Sequence, residues 1–238
     1  MRRTVCVRLG VGLSPEVQMS EIGLYEAMRT TRAVRMLRPD PIPDQVLRRV
    51  LEAATWGPSG GNRQAWRIIV VRDPALKQDL GRRYQVAWTE YSGGNRAALA
   101  ANPETARSRT ARTLAAGDYL AAHMHETPAI LVLCFDPRGL AITDRALGRP
   151  SVVGGASLYP AVQNLLLACR AEGLGCVLTT LLCAQEPEIR GLLALPEPWG
   201  TAAFIPIGYP VGQGHGPLVR RPLEEMVYAD RFGTALEI

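Results

Sequence analysis

The chain has 238 residues, 47% of them apolar, and a formal net charge of +5. These values exclude a disordered chain and fit one globular unit that buries its own core. The cations are dispersed with no run long enough for a nucleic-acid arm, and no apolar stretch reaches membrane-spanning length, so neither nucleic acid nor membrane is an expected partner.

The chain opens on a stretch that only imitates a secretory signal. Arg2 and Arg3 precede an apolar run, but Arg8 interrupts it and no clear cleavage site follows. Residues 1–20 read as a poorly ordered leader, and residues 21–238 as a single domain. The five cysteines, Cys6, Cys134, Cys169, Cys176 and Cys183, are odd in number and show no C-x-x-C spacing. Most fall in apolar runs, so they read as small buried groups in a reducing cytoplasm, not as a disulfide frame or zinc site.

A first helix is expected over 24–32, with Leu24, Ala27 and Met28 on one face. Arg32 and Arg35, three apart, suit a phosphate clamp if the helix continues, though on their own they read more readily as a solvated basic face. Pro39, Pro41 and Pro43 force an extended connector, and Pro43 opens a second helix striped by Val46, Leu47, Val50, Leu51 and Ala54. That helix runs into the stretch Gly57-Pro58-Ser59-Gly60-Gly61-Asn62-Arg63-Gln64. Three glycines let backbone approach a ligand closely, and the amides of Asn62 and Gln64 each offer donors and an acceptor. This set suits a flat, polar-edged heterocycle, though the same residue types also build ordinary turns.

A strand over 68–71 follows, then a helix over 75–91. Residues 92–110, with Gly93-Gly94 and Asn102-Pro103, read as a loop before a helix over 110–126. The stretch 88–126 is too long for a plain connection and reads as an excursion covering a pocket. His123 and His125 lie on different faces of that helix and make a poor metal pair. The run 129–135 is a strand buried on both faces. The helix over 157–172 is apolar nearly all round, which places it in the core or at a subunit interface; Gly173 ends it. Strands over 174–178 and 202–207 flank a short helix over 186–195. The Gly212-Gln213-Gly214-His215-Gly216 loop lacks the strand-to-helix setting of a phosphate loop and is discounted. No dinucleotide fingerprint, P-loop, zinc-protease or nucleophile-elbow motif is present.

Taken in order, Arg32-Ala33-Val34-Arg35, Pro58 to Trp66, Gln163-Asn164-Leu165, Gly173-Leu174-Gly175, Thr179-Thr180, Pro206 to Pro210 and Arg220-Arg221-Pro222 form a set that resembles the nitroreductase family over about residues 22–233. The resemblance implies an α+β, three-layer sandwich with a central, mostly antiparallel sheet, an intertwined homodimer, and FMN as cofactor at the interface. It implies that Thr31, Arg32, Ala33, Arg35 and Arg220 hold the phosphate and ribityl chain. It further implies that Pro58, Ser59, Gly60, Asn62 and Gln64 meet the flavin, partly across the interface, and that Leu178, Thr179 and Thr180 lie along its edge. The commoner arginine and serine of the family are Thr31 and Ala33 here, and the usual proline before the tryptophan is Ala65. The implied activity is ping-pong hydride transfer from NAD(P)H through FMN to a flat, electron-poor acceptor such as a nitroaromatic or quinone, with no catalytic side chain named. The alternatives are a flavin-storage protein, or a variant serving dehalogenation or natural-product oxidation.

Overall fold

A computed structural model describes residues 22–238, so the expected leader and Cys6 lie outside the described residues. The ten principal elements are α1 (Leu24–Thr30), α2 (Asp44–Thr55), β1 (Trp66–Val71), α3 (Pro74–Ala101), α4 (Arg109–His123), β2 (Ala129–Phe135), α5 (Tyr159–Ala171), β3 (Gly175–Cys176), α6 (Glu186–Leu192) and β4 (Gly200–Gly208). The sheet order is β1-β2-β4-β3, and every pairing is antiparallel.

The two central strands explain the layering. Side chains alternate across a strand. Ala129, Leu131 and Leu133 of β2 pack with α2 and α5, where Leu47, Val50, Ala161, Val162 and Leu165 are buried. Ile130, Val132 and Cys134 point to the opposite face, among Leu80, Tyr84, Trp88, Leu114 and Leu120 of α3 and α4. Helices therefore cover both faces, giving an α+β sandwich of three layers. The continuous apolar runs of β2 and β4 follow from this two-sided burial.

Several expected boundaries move. The first helix stops at Thr30, Thr31 is extended, and residues 31–36 form no helix or strand. Only Ala27 of its expected apolar face is buried; Leu24 and Met28 are exposed. The expected loop over 92–110 is mostly helix, since α3 runs 28 residues through Gly93 and Gly94. Tertiary packing overrides the local preference of glycine here. Trp88 donates its indole N–H to Asp118 of α4 at 2.7 Å, and Arg96 pairs with the same carboxylate. A Cβ on Gly117 would lie 2.1 Å from the Trp88 ring, so α3 and α4 meet at van der Waals contact. The strand expected over 174–178 shrinks to Gly175–Cys176, with Thr179 bridged separately to Phe204. Cys134, Cys169 and Cys176 are buried free thiols, and burial pushes Cys134 up to about 12. Among the described residues no helix is long and apolar enough to cross a membrane, and no cluster of His, Cys, Asp and Glu could hold a metal ion.

Candidate functional site

The glycine-rich loop is built on the first turn of α5. Gly57 leaves α2 so close to that helix that a Cβ would stand 2.5 Å from the Ala161 backbone nitrogen. Only glycine fits without moving backbone. Beyond it, the Gly60 N–H donates to Ser157 Oγ at 3.0 Å, and the Gln64 N–H donates to Ser59 Oγ at 3.0 Å. The chain then takes the left-handed region at Gly61 (φ 58°), Asn62 (φ 52°) and Gln64 (φ 49°). Asparagine tolerates this region; glutamine does so at a cost that the surrounding bonds must offset. Gln64 Nε2 donates to Asn62 Oδ1 at 3.0 Å, which leaves the Asn62 amide N–H groups and the Gln64 side-chain oxygen for a ligand. Pro58, Gly60, Asn62 and Gln64 are exposed and Ser59 is half-buried.

The arginines gather elsewhere. The segment after α1 is pinned by backbone on both sides: the Val34 N–H donates to the Cys176 carbonyl, and the Val211 N–H donates to the Met36 carbonyl, each at 2.9 Å. Val34 and Leu37 are buried against Gly175, where a Cβ would meet each at 2.7 Å. The last carbonyls of α1, which a helix leaves unpaired, accept from the N–H groups of Gly216 and Leu218. Arg32, Ala33 and Arg35 then line one cavity of about 840 Å³ with Gln213, Gly214 and Arg220. Arg32 Nε donates to the Gly214 carbonyl at 2.8 Å, which fixes its guanidinium at the wall. Arg109 and Arg112, from the start of α4, complete a lining of five arginines that contains no Asp or Glu. Converging guanidiniums with no facing carboxylate suit a phosphate.

Thr179 is buried at the neighbouring sheet edge, between half-buried Leu178 and exposed Thr180. Burial pushes the Tyr84 phenol of α3 up, while a hydrogen bond with Thr179 and the charge of Arg35 oppose that shift. Tyr84 of α3 thus lies near both Thr179 and Arg35. His215, buried behind Arg32, holds its Nε2 2.8 Å from the Leu174 carbonyl. Burial, with Arg170 and Arg32 nearby, keeps it below its ordinary pKa. The imidazole is therefore neutral at pH 7, with Nε2 as donor.

One chain does not bring all the expected residues together. The glycine-rich loop sits at the N-terminal end of α5. The arginine segment sits at the other end, where Arg170 Nε donates to the Thr30 hydroxyl at 3.0 Å. A helix of 13 residues separates its ends by roughly 18–20 Å. Ser59, Asn62 and Gln64 do not line the arginine cavity. Thr31 does not either; its hydroxyl donates to the Ala27 carbonyl at 2.7 Å. Gln213 and Gly214 carry no sequence signal beyond a glycine-rich loop without the setting of a phosphate loop. Sequence reasoning missed Arg109, which falls in the expected loop over 92–110, and Arg112, which falls in the expected helix over 110–126 without being singled out. Their spacing of three, on a helix that begins at 109, is the signal that could have found them.

Comparison with known proteins identifies the family. Residues 28–209 match the Nitroreductase family. An NADH dehydrogenase of Thermus thermophilus is 31% identical over 223 residues, covering 82% of this chain and 90% of that protein. A 5,6-dimethylbenzimidazole synthase of Rhodobacter capsulatus is 31% identical over 208 residues, covering 83% and 88%. Among solved structures, a nitroreductase of Desulfovibrio desulfuricans in complex with FMN superposes with a TM-score of 0.60 at 25% identity, covering 89% of this chain and 99% of that one. The chain belongs to the nitroreductase family.

Proposed function

We propose that this member of the nitroreductase family works as an FMN-dependent NAD(P)H oxidoreductase whose sites are each assembled from two copies of the chain. The observation that carries this reading is the convergence of Arg32, Arg35 and Arg220, from opposite ends of the sequence, on one cavity without carboxylates. That donor set fits the phosphate of FMN, and the exposed amides of Asn62 and Gln64 fit the polar edge of its ring. FMN, when bound, supplies the redox chemistry of a ping-pong exchange between NAD(P)H and a flat, electron-poor acceptor such as a nitroaromatic or quinone. The chain's own residues bind and orient. Arg32, Arg35 and Arg220 grip the phosphate end with Ala33 beside them, Leu178, Thr179 and Thr180 lie along the ring, and the α3–α4 pair covers the pocket against water.

The separation of the two donor sets supports a homodimer. Two copies related by a two-fold axis beside α5 would set the loop of one chain against the arginines of the other. Large apolar side chains that one chain leaves exposed, among them Leu24, Tyr25, Trp56 and Phe232, support such an interface.

Two measurements test this. The purified protein, loaded with FMN and freed of excess, should retain flavin in stoichiometric amount and consume NADH or NADPH only with an acceptor present; retention without turnover favours a storage role. Subunit mixing tests the assembly. A chain carrying Arg35→Ala and one carrying Asn62→Ala/Gln64→Ala should each hold FMN poorly, and mixing them should restore binding at one site per heterodimer. No restoration would mean that each chain builds its site alone.

A further inference from the structure

Five arginines line the cavity, and a phosphate monoester carries only about two negative charges near neutral pH. Arg32, Arg35 and Arg220 already exceed that charge. Arg109 and Arg112 remain, and they come from the covering helix rather than from the cavity floor.

Their placement on α4 is specific. Arg109, Arg112, Thr113 and Ala116 all line the cavity, and their spacing of three, four and seven is one helix face. Leu114, Gly117, Leu120 and Ala121 form the buried face against α3. Two cations in the first turn oppose the helix dipole, and they repel each other at i,i+3. That first turn contains no acidic residue to relieve them. Other arginines of this chain meet carboxylates, Arg49 at Glu172, Arg72 at Asp44 and Arg96 at Asp118. Arg109 and Arg112 instead face a cavity whose lining has none. On an isolated helix this pattern is unfavourable; an anion in the cavity makes it favourable.

We propose that Arg109 and Arg112 select the second ligand to enter the site for an anionic group, a carboxylate or phosphate, and so act as specificity residues on the α4 cover. This rests on the oxidoreductase reading above. The anion has two chemical sources: an acidic substituent on the electron acceptor, or the 2′-phosphate that distinguishes NADPH from NADH.

The test uses the FMN-loaded protein and its Arg109→Ala/Arg112→Ala variant. Both positions are exposed and alanine favours helix, so the variant folds. One arm compares kcat/KM for 4-nitrobenzoate and for neutral 4-nitrobenzamide with NADH as reductant. A second compares NADPH with NADH on the neutral acceptor. A third measures retained FMN by absorbance. A loss of two charge-assisted contacts lowers the anionic-to-neutral ratio in the responding arm by about ten-fold or more, chiefly through KM. A response in the first arm assigns the anion to the acceptor, and one in the second to the reductant. Unchanged ratios in both arms overturn the proposal. So does a loss of FMN matching that of Arg35→Ala, which would assign these arginines to the cofactor phosphate. A parent protein that holds no FMN or oxidises no NAD(P)H overturns the underlying reading, and this one with it; turnover with unchanged ratios overturns this one alone.

Discussion

The two ends of α5 offer different chemistry by different means. At its N-terminal end the glycine-rich loop is shaped by backbone, with left-handed residues at Gly61, Asn62 and Gln64 and Gly57 pressed on Ala161. It offers neutral amides in a rigid frame. At its C-terminal end the arginine cavity is shaped by long cationic side chains on a segment without helix or strand. It offers charge, with the frame supplied by bonds from residues 176, 211, 216 and 218. The difference teaches that shape and charge were placed on separate elements, so each end should fail in its own way.

The largest expected effect breaks the frame. Gly57→Ala forces a methyl into the Ala161 backbone, and neither chain segment can yield by a rotamer change. A destabilisation of about 3 kcal/mol is expected, read as a lower urea midpoint of the FMN-free protein. An unchanged midpoint would show the loop to be soft and would remove the contrast between the two ends.

Next comes charge. Arg35→Ala and Arg220→Ala should each weaken FMN retention by about ten-fold or more while the urea midpoint barely moves. Because the interaction is ionic, the deficit should shrink as sodium chloride rises toward about 1 M. Asn62→Ala should weaken retention less, by about five-fold, since it removes a neutral hydrogen bond. That deficit should not change with salt. Equal salt dependence in the two variants would erase the distinction between amide and guanidinium recognition.

The smallest effect concerns His215, beneath the arginine end. Its folded pKa lies below the ordinary 6.5, so below pH 6.5 the unfolded chain takes up a proton that the folded chain resists. Stability at the arginine end should therefore fall as pH drops through 6.5 toward the folded pKa, and level off below it. The facing cations Arg170 and Arg32 deepen the effect. In urea titrations from pH 7.5 to 5, His215→Gln should flatten this slope.

Much of this protein is legible in its sequence, for reasons visible in particular residues. The apolar run at 129–135 announces a strand buried on both faces, and 202–207 a further strand, because short apolar runs rich in β-branched residues and bounded by turn residues fit a covered sheet. Gly57 to Gln64 announces a close backbone approach with amides to spare. Arg32 and Arg35 read more readily as a solvated basic face, and their phosphate role, with Arg220, comes from the family resemblance. The ordered set of short motifs identifies the family, since order and spacing carry what no single motif does.

Tertiary structure decided the rest. Local rules stop a helix at Gly93-Gly94, but α3 continues to Ala101 because Trp88, Asp118 and Gly117 lock it to α4. That lock carries Arg109 and Arg112 over the cavity; their spacing of three puts them on one helix face, but packing decides what that face meets. The length of α5 holds the amide loop and the arginines apart within one chain. Which residues share a site depends on contacts between segments more than a hundred residues apart, and such contacts are set by packing, not by the local preferences that a sequence displays.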